Sequence, residues 1–324
     1  MTASSELVSI LIPTYNREGV IEKTIRSALD QTYTDIEVVV VDNASTDETW
    51  TRIQAMANAD PRVRAFRNDR NLGPVANWLA CAQVAKGHYA KILWSDDLIA
   101  PSFVSRCVPY LRNEDVAFAY TPALIFSGDS PKDGGVECYR ASRKADELIA
   151  SDAYIEGVMT DGDFPASPGC AIFRTEDLRR NLRLQVPNRY GSDFSMHAMG
   201  NDLVLFLLTA LERRQVAIIS DTLSFFRSHE DSISLLAGAG RVTFHYDLAK
   251  AWFCAEVTKD RPMQRRLNAL IFLHLKRFGP APYGMSCVAD FYPAPQDAPI
   301  AWWQLVRAVG SVFANKVSRT LRRA

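Results

Sequence analysis

Strand-like and helix-like segments alternate along the first hundred residues, and few architectures accommodate that order. Val8 to Ile12 is a short apolar run closed by Pro13. Ile36 to Val41 reads Ile-Glu-Val-Val-Val-Val, β-branched at all but one position, as a strand covered on both faces requires. Val63 to Phe66 and Tyr89 to Trp94 supply a third and a fourth strand. Between the first two, Val20, Ile21, Ile25, Ala28 and Leu29 fall on one face of a helix expected from Arg17 to Asp30, with Asn16 as its cap. Ser45 and Glu48 stand at capping-box spacing before a helix expected from about Asp47 to Ala59. A third helix follows the polar loop Asn68 to Gly73, runs to about Ala85 and stops at Gly87. This order predicts an α/β fold with a Rossmann-like, mostly parallel sheet flanked by helices.

Composition narrows the partners. Lys and Arg number 37 and Asp and Glu number 37, so the chain lacks the basic excess of a protein that lives on a phosphate backbone, and nucleic acid is not expected. Among the 324 residues, 48% are hydrophobic and 23% charged, ordinary for a globular protein. Leu203 to Leu211 is the longest apolar candidate for a span, and it is only helix-sized. The six cysteines, at 81, 107, 138, 170, 254 and 287, form no C-x-x-C pair, so reduced thiols are expected rather than zinc or a redox dithiol. Met1 to Leu7 has neither a basic start nor an apolar core, so a cytoplasmic location is expected.

Open α/β sheets bind ligands beyond the carboxyl ends of their strands. Those ends carry Thr14-Tyr15-Asn16, Asp42-Asn43-Ala44-Ser45 and Ser95-Asp96-Asp97. Acids recur there, and neither a G-x-G-x-x-G nor a P-loop glycine pattern appears. A diphosphate bound at such an edge needs another source of positive charge, and a divalent cation held by carboxylates supplies it.

Val8 to Arg17, Val41 to Asp47, Asn71-Leu72-Gly73 and Ser95-Asp96-Asp97, in that order and spacing, resemble the family-2 glycosyltransferases of the GT-A fold. The resemblance is strong over residues 6–120 and looser to about 235. It implies a catalytic domain at 1–238, with a nucleotide-sugar half to about 120 and an acceptor half beyond, followed by a helical region at 239–324. It further implies an inverting transfer from a UDP, GDP or dTDP sugar to a glycan or lipid-linked acceptor, in polysaccharide, O-antigen or glycoconjugate biosynthesis. Pro13, Thr14, Tyr15, Asn16, Asp42, Asn71 and Asp96 would serve the nucleotide. Asp97 and His229 would hold Mg²⁺ or Mn²⁺. The longer form of the acidic motif has an acid where this chain has Trp94, which leaves the split between Asp96 and Asp97 open.

Gly200-Asn201-Asp202-Leu203 opens an apolar helix where the family commonly has Glu-Asp, so Asp202 keeps the position of the general base beside a neutral neighbour. A helix N-terminus favours the ionised carboxylate. Asp193 in Gly191-Ser192-Asp193 is the second choice. Arg227-Ser228-His229, followed by Ser232-Ile233-Ser234, resembles the family's R-x-H segment, with Arg227 suited to a departing diphosphate. Helices are expected over Phe244 to Val257, Met263 to Phe278 and Ile300 to Leu321. The last combines Trp302 and Trp303 with Arg307, Lys316 and Arg319, which suits a membrane surface as well as packing on the catalytic domain or a second copy of the chain. Two rivals stay open: a sugar nucleotidylyltransferase, which would carry a basic Gly-rich loop after strand one, and a non-catalytic sugar-nucleotide or glycan-binding module, which would have lost Asp96, Asp97 and Asp202.

Overall fold

The computed structural model describes residues 6–140, 144–229, 236–279 and 282–300. The chain opens with β1 (Val8–Thr14), α1 (Ile21–Leu29), β2 (Ile36–Asp42), α2 (Thr49–Ala59), β3 (Val63–Arg67), α3 (Pro74–Val84) and β4 (Tyr89–Ile92). The short β5 (Leu98–Ile99), α4 (Phe103–Leu111), β6 (Val116–Tyr120), β7 (Ala123–Phe126), β8 (Val136–Cys138), β9 (Glu147–Ala150) and α5 (Ser151–Met159) follow. Next come β10 (Ala171–Arg174), α6 (Thr175–Asn181), the one-turn α7 (Phe194–His197), α8 (Asn201–Leu211), β11 (Gln215–Ile218) and β12 (Ser224–Arg227). The helices α9 (Ala239–Trp252) and α10 (Arg261–Phe278) complete the order.

The main sheet runs β3-β2-β1-β4-β10-β6-β11-β9. β1 pairs parallel with both β2 and β4, β2 with β3, and β6 with β11; β10 and β9 run against their neighbours. Alternate residues of the central strands enter opposite cores. Val8, Ile10, Ile12, Val38 and Val40 face α1 and α4, whereas Leu11, Val39 and Val41 join the core that contains α3 and α8. Both faces are therefore apolar, which is why these strands read as unbroken runs. Glu37 is one exception, and its carboxylate is fully used: it accepts from Ser9 Oγ at 2.6 Å, from the Lys86 backbone N–H at 2.6 Å and from Arg64 at 2.6 Å. Gly87 lies so close that a Cβ there would stand 2.6 Å from the Leu7 carbonyl and the Ser9 nitrogen.

A second sheet runs β5-β12-β7-β8. β12 pairs parallel with β7 and antiparallel with β5.

Two expected caps do not form. α1 starts at Ile21, not Arg17; Asn16 sits in left-handed backbone (φ 48°) and instead accepts from the Thr46 N–H at 2.9 Å. Ser45 turns back onto Asp42, so the Ser45–Glu48 capping box is absent, and Asp47 Oδ1 accepts the Thr49 N–H at 3.0 Å. Asn16 thus bonds across to the loop after β2, and Ser45 bonds within its own turn, rather than to the helices expected to follow them.

The helical region after residue 238 shares the core of the sheet: Phe244, Leu248, Phe253, Leu267 and Ile271 pack in one cluster with Leu11, Phe118 and Phe206. α9 begins five residues before the expected Phe244 and continues as a π-turn, Phe253–Thr258. Buried charge ties the two regions as well. His274 of α10 bonds Asp247 of α9 at 2.8 Å and Asp161, beyond α5, at 3.1 Å, and Lys250 also meets Asp161. The expected helix at Ile300 to Leu321 and the segment Ser232-Ile233-Ser234 lie outside the described residues, apart from Ile300. No helix among the described residues is long and apolar enough to cross a membrane. All six cysteines are free, and burial pushes the Cys107 thiol up to about 12.

Burial works against charge on His274, but Asp247 and Asp161 outweigh it and raise the imidazolium to about 9. Its contribution is therefore complete below the unfolded value of about 6.5 and is lost as pH rises through 9. Replacing His274 by Gln is expected to destabilise the protein by about 2 kcal/mol at pH 6 and by much less at pH 10, in urea melts of the two proteins side by side.

Candidate active site

Parallel register places the ends of β1, β2 and β4 along one edge: Thr14 lies opposite Asp42, and Leu11 opposite Ile92. Pro13 and Thr14 are buried within β1, so from this run Tyr15 and Asn16 present side chains outward, Tyr15 being 40% exposed. Asp42 is fully buried. Its oxygens accept from the Ser45 N–H at 3.2 Å, from the Ser45 hydroxyl and from Arg67 Nε at 3.1 Å. The expected base acceptor is thus occupied within its own turn, and the half-exposed Arg67, stacked over Trp50, is the charge facing outward here.

An amide lattice holds the neighbouring loop. Asn43 Nδ2 donates to Asn71 Oδ1 at 2.8 Å and to the Gly73 carbonyl at 3.2 Å, while Asn43 Oδ1 accepts from Asn68 at 2.9 Å and from the Leu72 N–H at 3.0 Å. Asn77 accepts from Asn68 and donates to the Val41 carbonyl, each at 3.0 Å. Asn71 accordingly serves as a brace of this loop, with its Oδ1 also accepting the Gly73 N–H.

The acidic motif follows β4. Thr24 Oγ1 of α1 bonds the carbonyls of Ser95 and Asp97, fixing the turn from the far side. The β5–β12 pairing then brings the Arg227 segment against it. Arg227 donates its backbone N–H to Asp97 Oδ1 at 2.8 Å and its Nε–H to the Asp96 carbonyl at 3.0 Å, with the guanidinium over the Phe126 ring. His229 Nε2 lies 2.7 Å from Asp96 Oδ2, and Arg17 Nε lies 3.3 Å from the same oxygen. His229 therefore meets Asp96 directly. Burial, reinforced by the adjacent Asp96, raises the Asp97 carboxyl well above the usual carboxylate range. The buried Arg227 Nη2 has no hydrogen-bond partner. No cluster of three or more His, Cys, Asp or Glu side chains suited to a metal forms among the described residues. This corner can offer carboxylate and imidazole donors to a cation whose remaining positions are filled by a ligand, but it is not a closed protein cage.

Trp94, where an acid was missing, packs on Trp78 with ring centroids 4.7 Å apart and donates to Ser167 at 3.1 Å. A Cβ on Gly169 would meet Trp94 at 2.8 Å, so glycine lets this turn close on the motif. From beneath, the buried Lys91 bonds the Gly169 and Ile92 carbonyls. Burial lowers its ammonium to about 8, with Cys170 and Asp97 opposing.

Asp202 stands in the first turn of α8 and is 9% exposed. Oδ1 accepts the Gly200 and Leu203 N–H groups at 3.1 and 2.8 Å, and Oδ2 accepts the Tyr246 hydroxyl at 2.5 Å. The helix terminus was expected to keep it ionised; burial instead dominates and raises it to about 6. Asp193 is different. It is exposed, caps α7 and accepts from Ser195 and Gln185, which hold its carboxyl below the usual range. Arg17, Arg67, Lys91 and Tyr246 had no assigned role from the sequence. Arg17 lay within a quoted motif and Lys91 within the fourth strand, whereas Arg67 and Tyr246 meet Asp42 and Asp202 across long stretches of chain and leave no local pattern.

The family model described as "Glycosyl transferase family 2" matches residues 9–182. GlyG, a glycosyltransferase of Streptococcus pneumoniae, is 31% identical over 236 residues, 71% of this chain and 73% of that protein. The chain belongs to glycosyl transferase family 2. WfaP of Escherichia coli, a UDP-Glc:alpha-D-GlcNAc-diphosphoundecaprenol beta-1,3-glucosyltransferase, is 36% identical over 120 residues, 37% of this chain and 47% of that protein. The chain thus matches about half the length of WfaP. Residues 1–349 of S. aureus TarS, solved in complex with UDP-GlcNAc, share the fold with a TM-score of 0.61 at 17% identity, over 84% of this chain and 73% of that one.

Replacing Asn43 by Ala removes the four hydrogen bonds of this buried amide, and we expect a loss of about 1–3 kcal/mol in urea unfolding. A loss below about 0.5 kcal/mol would show that the amide lattice does not brace the loop.

Proposed function

We propose that the chain is an inverting glycosyltransferase that moves a sugar from a nucleoside-diphosphate donor to an acceptor hydroxyl in the assembly of a cell-surface polysaccharide, O-antigen or glycoconjugate. The observation that carries this reading is the contrast between two acidic centres. Asp96 and Asp97 lie among Arg17, Arg227 and His229, a setting for a diphosphate, while Asp202 is a lone buried carboxylate with a proton affinity near neutrality. A general base is most effective when its pKa lies near the working pH.

The sugar's anomeric carbon is the electrophile. Asp202 takes the proton of the acceptor hydroxyl, the acceptor oxygen forms the new bond to that carbon, and the bond to the diphosphate oxygen breaks. The nucleoside diphosphate leaves with the electron pair. Attack from the face opposite the leaving group inverts the configuration, and no covalent enzyme intermediate forms. Arg227, with an unmatched buried N–H, and Arg17 are the cations suited to the charge that grows on the leaving group. Mg²⁺ or Mn²⁺ would be held beside them by Asp97 and His229, with the donor supplying the remaining ligands, and would neutralise the diphosphate. Tyr15 and Asn16, with Arg67 and Asp42 behind them, form the nucleotide end.

The donor and acceptor classes lean on the relatives. WfaP is named for UDP-Glc and a diphosphoundecaprenol-linked sugar, and TarS was solved with UDP-GlcNAc and with UDP. A uridine-diphosphate sugar and a lipid-diphosphate-linked glycan are the first choices here, ahead of GDP and dTDP donors. Such an acceptor places the working protein at the inner face of a membrane.

Calorimetry with UDP-glucose, UDP-GlcNAc, GDP-mannose and dTDP-glucose, with and without MnCl₂, tests the donor site. Binding of a uridine donor that strengthens with Mn²⁺ and vanishes in Asp97→Ala is expected. Asp202→Asn should still bind donor, yet transfer sugar roughly 10²–10⁴-fold more slowly. Wild-type turnover by Asp202→Asn would remove the base assignment; donor binding without any turnover in the wild type would favour a binding module.

A further inference from the structure

Asp202 is held in place by a part of the chain far from it in sequence. The oxygen opposite its two backbone donors, Oδ2, accepts the hydroxyl of Tyr246 at 2.5 Å. Tyr246 lies on α9, beyond residues 9–182 that define the family match. Gly200 makes the approach possible. It adopts φ 102°, and a Cβ there would stand 3.2 Å from both Ala249 Cβ and the His245 carbonyl. The turn that carries Asp202 is thereby pressed directly against α9.

α9 is itself anchored on several sides. Phe244, Leu248 and Ala249 are buried in the core. His245 donates Nδ1–H to the Arg241 carbonyl at 2.7 Å, so its Nε2 accepts the Ser192 hydroxyl at 3.0 Å. His197 accepts the Met199 N–H on Nδ1 and is left to donate Nε2–H to the same Ser192 oxygen at 3.0 Å. Through Ser192 the loop leading to Asp202 is tied to the residue next to Tyr246. Asp247 and Lys250 hold the rest of the helix through His274 and Asp161. The phenol therefore arrives at Asp202 from a fixed scaffold.

We propose that Tyr246, through the hydrogen bond from its hydroxyl to Asp202 Oδ2, is the positioning residue for the base of the transfer reaction, so that the helices after residue 238 complete the catalytic site. The inference rests on the reading of Asp202 as that base. Three donors fix the plane of the carboxylate, and a lone pair of Oδ2 is left for the incoming proton. The phenol bonds the ionised form, so it opposes the effect of burial. Tyr246 bonds Asp202, and Tyr139 beyond β8 and Tyr154 of α5 lie within its electrostatic reach; burial raises all three phenols well above the usual range. They stay neutral wherever the base titrates.

The test is a titration of the Asp202 side chain by ¹³C NMR of carboxyl-labelled protein, with Asp202→Asn identifying the resonance, run beside the pH dependence of sugar transfer. In Tyr246→Phe the midpoint should rise by about one pH unit, with the acid limb of the rate following it and the KM for the donor unchanged. Rates should approach wild type above pH 8. Should Tyr246→Phe fail to fold, 3-fluorotyrosine at 246 preserves the ring and donates more strongly, and the midpoint should then fall. An unmoved midpoint, or activity lowered by one factor at every pH, overturns the proposal while leaving the function intact. A midpoint that moves while the acid limb stays would instead show that Asp202 is not the base, and the functional reading would fail with it.

Discussion

Leu98 and Phe225 lie side by side in an antiparallel ladder of two residues, and the arrangement of charge at the edge of the sheet depends on that pairing. β5 directly follows the Asp96-Asp97 turn, and β12 directly precedes Ser228 and His229. Joining them puts the Arg227 amide on one acid and the His229 ring on the other. Two adjacent carboxylates in a largely buried turn would otherwise repel one another without relief. The second sheet brings an arginine and an imidazole to them, and α1 holds the same turn by Thr24 and reaches it with Arg17 nearby.

Much of the fold could be read from residue patterns because burial on both faces writes itself into sequence. The β2 run is apolar at successive positions for a reason the structure makes plain: Val38 and Val40 enter one core, Val39 and Val41 the other. The parallel order of the first strands and the position of Asp202 at the start of an apolar helix followed from the same kind of signal. The caps at Asn16 and Ser45 were misread because short polar side chains have several local partners, and spacing alone cannot decide among them. Asn16 chose Thr46, and Ser45 chose Asp42. The pairing of His229 with Asp96, the lattice around Asn43 and the Tyr246 contact were illegible for another reason. Each is a single side-chain encounter across many residues, with no periodicity to announce it.

The region after residue 238 illustrates the difference between a boundary in sequence character and one in structure. The pattern changes there from mixed strands and helices to helices alone, yet Phe244 and Leu267 enter the same core as Phe118. Asp247, Lys250 and His274, buried, and the exposed Asp161 add a charged cluster across that join. Removing one member of such a cluster strands the others without compensation. The helices are therefore braces of the catalytic half, and the side chains they send toward Asp202 inherit that rigidity.

The loop from Asn68 to Gly73 is fastened by side chains that never ionise. Amides neither gain nor lose protons in the biological range, and dissolved ions screen their short dipolar contacts little. The opposite corner, around Asp96 and Arg227, is fastened by full charges. The amide-held loop will consequently keep its shape through swings of acidity and salinity that loosen the corner around Asp96.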